Sequence, residues 1–509
     1  MKKTLTALFL AIWSAALCLP MAARRVLAPA GLVSFAPFGE MGENRDPAPR
    51  PSVRRSSPRK VAWKDLGRGY EAWYNDAFPW RTELLKFHRH ISFNWLKTPV
   101  GREVPGHGNW VFRRGGDWAE LDDYLGAFEL TDGELADWVT LFEGRREWAR
   151  AIGSAFLTMP APVKAQIRWQ EMYPALRRHR GRNVSAQIRE ALAESPAKSD
   201  VLFANDDFAA AFASGREVFF DSDHHPGAYG LWLLYDRLNR RLAELFPGQV
   251  SPRLPWYDNP PGPVRDGLEP GCWADGEGDM GDAEAARRLA VSLPGESTFS
   301  NAVPRKSRRY PYCNIATRRA EGGISILMAH DSYMRYSLSS WRGREDDVRF
   351  PFATGVGSVR ALIFYRFSPD SLASFTEKEI PDVIIEQFPE CRLDGSAHKY
   401  LDGNTRAAAV FGRSKDAPDG RAPNPGDRVV ARAVLGGLRA TGKGTPVLLL
   451  KCGDEELARR KTAPGIRRAV FFDAVEMPAA TTNVFSVSIE FGVADATNLV
   501  WRLDAPHNN

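Results

Sequence analysis

Ile324-Ser325-Ile326-Leu327-Met328-Ala329-His330-Asp331-Ser332-Tyr333 is an apolar run that stops abruptly at Asp-Ser. A short apolar run without helical period reads as a strand buried on both faces, and the polar residues that follow read as the edge of its sheet. The run therefore predicts a strand that delivers Ser332 to a sheet edge. Well upstream, Phe220-Asp221-Ser222-Asp223-His224-His225 supplies Asp-x-His, a base with a carboxylate to orient it. A serine hydroxyl is a poor nucleophile until a base takes its proton. The two segments together thus contain a nucleophile, a base and an orienting acid, if the fold brings them together.

Around these segments strands and helices alternate. Ala155 to Met159 reads as a strand ending at Pro160-Ala161-Pro162, and Val184 to Ala193 as a helix. Val218-Phe219-Phe220 reads as a strand end leading into the Asp/His cluster. Gly230 to Phe246 carries Leu231, Leu234, Tyr235, Leu238, Leu242 and Leu245 on one helical face. Ala361 to Tyr365 and Val383 to Ile385 read as further strands, and Leu254 to Asp282, dense in Pro, Gly and acidic residues, as a long loop. Upstream, Asp132 to Ile152 reads as a helix capped by Thr131 or Asp132, with Leu135, Trp138, Leu141 and Phe142 facing inward. Aromatics at helical spacing from Ala62 to Leu96 predict another. The alternation predicts an α/β domain with a mainly parallel sheet and flanking helices, whose chemistry lies at the carboxyl ends of the strands.

Beyond about Leu401 short β-type segments replace the alternation: Arg428 to Leu435, Pro446 to Lys451, Ala469 to Asp473, Val484 to Phe491 and Asn498 to Leu503. In Val484 to Phe491 the residues Phe485, Val487, Ile489 and Phe491 alternate with polar ones, the pattern of a half-buried antiparallel strand. Residues 401–509 are expected to form an antiparallel β-sandwich, and residues 62–400 the α/β domain.

At 509 residues the chain is long enough for two or three domains, and its 44% hydrophobic content is that of a globular protein. The net charge of +6 is small for this length, and no finger, ribbon or RNP-type motif is present, so nucleic acid is not an expected partner. Lys2-Lys3 precede an apolar stretch from Leu5 to Ala23, which makes residues 1–25 a signal peptide or a membrane anchor. Residues 26–61 are rich in Pro, Arg and Ser and read as an extended tether. In an oxidising compartment Cys272, Cys313, Cys391 and Cys452 have three possible pairings; proximity in sequence favours Cys272–Cys313 and Cys391–Cys452.

Residues alone leave the Asp/His cluster with three readings. Asp223 and His225 can serve Ser332 as acid and base. Asp221, Asp223, His224 and His225 also pack four hard or borderline ligands together and can be read as a metal set. A histidine here can equally cap the helix that begins near Gly227.

The ordered set of short motifs adds a resemblance. Glu43-Asn44-Arg45, Tyr74-Asn75-Asp76-Ala77-Phe78-Pro79-Trp80-Arg81 and Gly106 to Phe112 come first. Pro162-Val163-Lys164, with Glu171 and Pro174, follows. Asp223-His224-His225 with Gly230, His330-Asp331-Ser332-Tyr333 and Pro381-Asp382-Val383-Ile384-Ile385-Glu386 complete the series. In this order they resemble the alginate O-acetyltransferase group of the SGNH-hydrolase superfamily. Two positions depart from the group's pattern: Pro226 stands in place of a Trp and Tyr333 in place of a Phe.

The resemblance implies a flavodoxin-like α/β domain and a Ser332–His225–Asp223 triad, with neither metal nor cofactor. The Ser332 backbone N–H is the default oxyanion donor, with Arg335, Tyr336, Tyr333 and Lys164 as candidates for oxyanion or substrate contacts. It implies an exported, periplasmic enzyme, soluble or held to the inner membrane by its N-terminal segment. Such an enzyme would receive acetyl groups from a membrane-bound O-acyltransferase and pass them to a polysaccharide, with Trp501 among the aromatics able to stack on sugar. A carbohydrate acetylesterase using the same triad and a non-catalytic glycan-binding assembly protein are the alternatives.

Overall fold

The computed structural model describes residues 87–88, 90–115, 119–221, 224–252, 303–304, 313–317, 323–331, 333–334, 356–363, 380–414, 423–478 and 485–504. The expected export segment, tether and long loop at Leu254 to Asp282, and most of the expected helix from Ala62, lie outside these residues, as does the Cys272 half of the first cysteine pair. The described residues fall in two compact units, those up to Pro105 and those from Gly106 onward. In the first, a short helix ends in a π-helical turn at Ile91–Trp95. The second carries all the elements below.

Its centre is a six-stranded sheet built from β1 (Ala155–Ala161), β2 (Val303–Pro304), β3 (Cys313–Thr317), β4 (Ile324–His330), β5 (Val356–Ile363) and β6 (Val383–Pro389). The spatial order is β1-β6-β4-β5-β3-β2. The first four are parallel, and β3 and β2 add antiparallel strands at one edge. The opening run is β4, paired on both sides and buried along almost its whole length. β6 is buried at every position and runs further than the Val383 to Ile385 expected from its apolar residues, because Glu386 and Gln387 are held inside by partners described below.

Helices cover both faces. α1 (Glu120–Tyr124), α2 (Asp132–Ile152), α3 (Lys164–Ile167), α4 (Val184–Ala191), α5 (Asn205–Ala213), α6 (Ala228–Leu245) and α7 (Gly403–Arg413) follow in chain order. α2 has the expected span and cap. The Thr131 hydroxyl accepts from the Glu134 N–H while the Glu134 carboxylate accepts from the Thr131 N–H. A reciprocal cap of this kind contributes about 1 kcal/mol. α6 buries Leu231, Leu234, Tyr235, Leu238 and Leu242 against the core formed with β1, β4 and β6. On the other face Trp148, Ala149 and Ile152 of α2 and Ala407, Ala408 and Phe411 of α7 pack against Phe156, Leu327 and Ile384 of the sheet.

The C-terminal part holds β7 (Arg428–Ala440), β8 (Val447–Cys452), β9 (Glu455–Lys461), β10 (Gly465–Glu476), β11 (Phe485–Glu490), β12 (Gly492–Val493) and β13 (Ala496–Leu503). All its pairings are antiparallel. β7 pairs with β10, β12 and β13, and β8 lies between β9 and β11. Ala431, Ala433 and Leu435 of β7, Leu448 and Leu450 of β8, and Val470 and Phe472 of β10 share one buried cluster, so the two sheets bury apolar faces in common.

Several expectations are corrected. Val218-Phe219-Phe220 is no strand of the sheet; a single antiparallel bridge joins Phe219 to Pro226. β5 begins earlier than Ala361, at Val356. Phe491 leaves the strand at φ 55° and is exposed, unlike Phe485, Val487 and Ile489, which pack into the shared core. Trp501, a candidate for stacking on sugar, is half-buried and lies against Phe485, ring centroids 5.5 Å apart. Cys391 and Cys452 are free buried thiols. The first sits in the turn after β6, and the second ends β8 beside Val429 and Met477, so they occupy different cores.

Candidate active site

Parallel strands put their carboxyl ends at one edge, and polar groups gather there. β1 runs on through Pro162 and Val163 into Lys164, β4 into Asp331, and β6 into Glu390 and Cys391. All are buried. The strands are locked together at this edge by side chains. The Asp331 N–H donates to the Gln387 Oε1 at 3.2 Å, and the Val163 N–H donates to the Glu390 Oε1 at 3.1 Å. Glu390 also accepts from the Ser185 hydroxyl and from Asn205 Nδ2. One step back along β6, Glu386 pairs with Arg145 of α2, both buried. A buried carboxylate needs such partners, since desolvation otherwise drives it neutral.

The chain on either side of the Asp/His segment is drawn together at this edge. The Gly227 N–H donates to the Val218 carbonyl at 3.0 Å beside the Phe219–Pro226 bridge. The Asp221 carbonyl accepts from the Val111 N–H at 2.9 Å. Lys164, fully buried, donates from Nζ to the carbonyls of Phe220 at 3.2 Å and Asp221 at 3.0 Å. Gly230 explains itself here: a Cβ on it would lie 2.2 Å from the Val218 carbonyl oxygen, so only glycine lets α6 start this close to the loop.

The two segments of interest meet. The His225 ring lies 5.5 Å, centroid to centroid, from the ring of Tyr333, the residue after Ser332. The His224 ring, tilted against both, lies 3.9 Å from that of His225 and 6.1 Å from that of Tyr333, centroid to centroid. The turn at the end of β4 is fixed by its own acid: the Tyr333 N–H donates to Asp331 Oδ1 at 2.9 Å across Ser332 in sequence.

Electrostatics at this edge are strong. Burial pushes the Asp331 carboxyl up to about 6, against the pull of the Tyr333 N–H, Arg392 and His225. Burial likewise pushes Glu120 up to about 7, with Lys164, Arg113 and His225 among the charges acting to hold it down. Tyr333 is raised well above the ordinary phenol value by burial and by its acidic neighbours Glu120, Cys391 and Asp331. Asp123 and Glu390 are both raised by burial. Active sites use burial and neighbouring charges to shift titration in this way, and buried structural networks do so too.

Of the expected site residues, His225, Tyr333 and Lys164 are therefore brought into one region. Asp223, Ser332, Arg335 and Tyr336 lie outside the described residues. Tyr333 and Lys164 are fully buried: the Tyr333 ring lies against His225, and Lys164 donates to backbone carbonyls. Among the described residues no group of three or more His, Cys, Asp or Glu is arranged to hold a metal ion. Asp331, Glu120 and Gln387 were missed as site residues. Asp331 had a signal, since an Asp two residues before an N–H in a strand-end turn is placed to accept from it. Glu120, in Trp118-Ala119-Glu120-Leu121, had none.

No family model and no curated protein matches the chain. Among solved structures it is similar to the O-acetyltransferase domain of Pseudomonas putida AlgJ, at 16% identity over 61% of this chain and 99% of that one, with a TM-score of 0.33. It is similar to Pseudomonas aeruginosa AlgX at 13% identity, covering 79% of this chain and 94% of that one, TM-score 0.34. Bacillus cereus PatB1 is similar at 11% identity over 59% of this chain and 100% of that one, TM-score 0.36.

Proposed function

We propose that the chain is an exported polysaccharide O-acetyltransferase with an SGNH-like α/β domain and a C-terminal β-sandwich. The observation that carries the reading is the His225 ring against Tyr333, next to Ser332, at the carboxyl edge of a parallel sheet. The ordered motifs around both segments support it.

In this mechanism the Ser332 Oγ attacks the carbonyl carbon of an acetyl donor while His225 takes the hydroxyl proton. Asp223 stabilises the imidazolium. The tetrahedral oxyanion, held by the Ser332 N–H and its neighbours, collapses to acetyl-Ser332, and the donor's leaving group departs with the proton from His225. A sugar hydroxyl then attacks the acetyl carbon, giving its proton to His225. The second intermediate collapses to the sugar acetate, and His225 returns the proton to Ser332. A membrane-bound O-acyltransferase is the expected acetyl source, and the N-terminal segment is expected to keep the enzyme in the periplasm beside it. The acceptor is an exopolysaccharide such as alginate.

The esterase reading differs only in water replacing the sugar at the acyl-enzyme. Incubating the protein with 4-nitrophenyl acetate, with and without uronate or neutral oligosaccharides, separates the two. Acetylated oligosaccharide and a rate that rises with acceptor are expected. Turnover indifferent to every acceptor, with no acetylated sugar, would give the esterase instead.

A further inference from the structure

We infer that Lys164 is a positioning residue that sets the place of His225 by clamping the loop ahead of it. The inference rests on the reading of His225 as the base.

A fully buried lysine is rare and is kept only where its charge is partnered. Here the stem passes the rings of Trp110 and Phe112, each 5.7 Å from Nζ. The ammonium ends on two consecutive carbonyls, those of Phe220 and Asp221. Glu120, also fully buried, feels its charge. Two successive carbonyls aimed at one donor fix the direction of the chain just before the residues that carry the chemistry.

The lysine itself is anchored. It opens α3, with two residues between it and β1, and the preceding Val163 N–H is bonded to Glu390 at the end of β6. The clamp therefore ties the loop to the strands that also fix Asp331, through Gln387 of β6. On the other side the Val111 N–H holds the Asp221 carbonyl, and the Phe219–Pro226 bridge closes the loop's neck. Those contacts fix where the loop starts and ends. Lys164 reaches its inside and holds the turn's orientation. Without it, the Phe220 carbonyl loses the ammonium while the Asp221 carbonyl keeps the Val111 N–H, and the loop relaxes toward other partners. A displacement of about 1 Å at a catalytic base costs on the order of a hundredfold in rate.

The test compares 4-nitrophenyl acetate turnover by the full chain and by Lys164→Met. Lys164→Met/Glu120→Gln, which removes both buried charges, is the second variant, with Glu120→Gln as its reference. Melting curves and amide hydrogen exchange accompany each. The expected result is a kcat lower by about a hundredfold with KM little changed. Faster exchange is expected at residues 219–226 while the sheet keeps its protection. The double variant is expected to behave as the single one, so a folding defect in Lys164→Met leaves the question decidable. An unchanged kcat in either folded variant overturns the clamp, and so does a raised KM with kcat intact, which would make Lys164 a substrate contact. Ser332→Ala, run in parallel, separates the two ideas. If it is inactive while Lys164→Met is not, only the clamp fails; if it keeps full turnover, the nucleophile reading fails.

Discussion

Asp331 is the side chain on which the end of β4 depends. Its carboxylate takes the Tyr333 N–H, and its own N–H is held by Gln387, so the residues on either side of Ser332 in sequence are both held. Asp331→Ala would leave the Tyr333 N–H buried without its acceptor, a loss of about 1–3 kcal/mol, and the turn would no longer be fixed. Asp331→Asn keeps an acceptor. The expected outcome is a large fall in kcat for the alanine variant and a small one for the asparagine variant, read from steady-state kinetics. Equal effects would mean that the charge, rather than the hydrogen bond, matters. The residue was visible in the sequence as part of His330-Asp331-Ser332-Tyr333, but its function was not, because a bond across a turn is a three-dimensional fact. Residue type makes Lys164 and Tyr333 candidates for substrate contacts, while their full burial is legible only in the fold.

At the level of elements, what was legible followed from strong local patterns. The capping box and spacing of α2, the leucine face of α6 and the apolar run of β4 each name their element without help from the rest of the chain. Two elements were misread where tertiary contacts decide. Val218-Phe219-Phe220 has strand composition, yet its backbone bonds to Pro226 and Gly227. β9 was missed altogether, since Glu455-Glu456-Leu457-Ala458-Arg459-Arg460-Lys461 is mostly charged; it is an edge strand, where charges are tolerated and guard against further pairing. The contact between α6 and the loop gives a test at this scale. Gly230→Ala places a methyl against the Val218 carbonyl, with overpacking of about 1–3 kcal/mol. A lower melting temperature together with reduced kcat is expected; a variant with wild-type activity would show that the loop has room to move.

Across the whole molecule the buried acids make stability depend on pH in an unusual direction. Asp331 and Glu120 titrate higher folded than unfolded, at about 6 and about 7, because burial disfavours their charged forms. A group raised in this way contributes stability that is full below its unfolded pKa and is lost as pH rises through the folded value. Asp123 and Glu390, raised by the same cause, add to the trend. Denaturant midpoints measured at about pH 5 and about pH 8 are expected to fall toward the alkaline value. A midpoint that stays level or rises would show that these carboxyls are charged in the folded state.

The central claim is that Ser332 and His225 work as one nucleophilic unit. Rapid quenching during 4-nitrophenyl acetate turnover, followed by peptide mass mapping, tests it most directly. The expected result is one acetyl group on the peptide containing Ser332, absent from Ser332→Ala and strongly diminished in His225→Gln. Turnover that continues with no acetyl on that peptide, or that survives unchanged in Ser332→Ala, would contradict it.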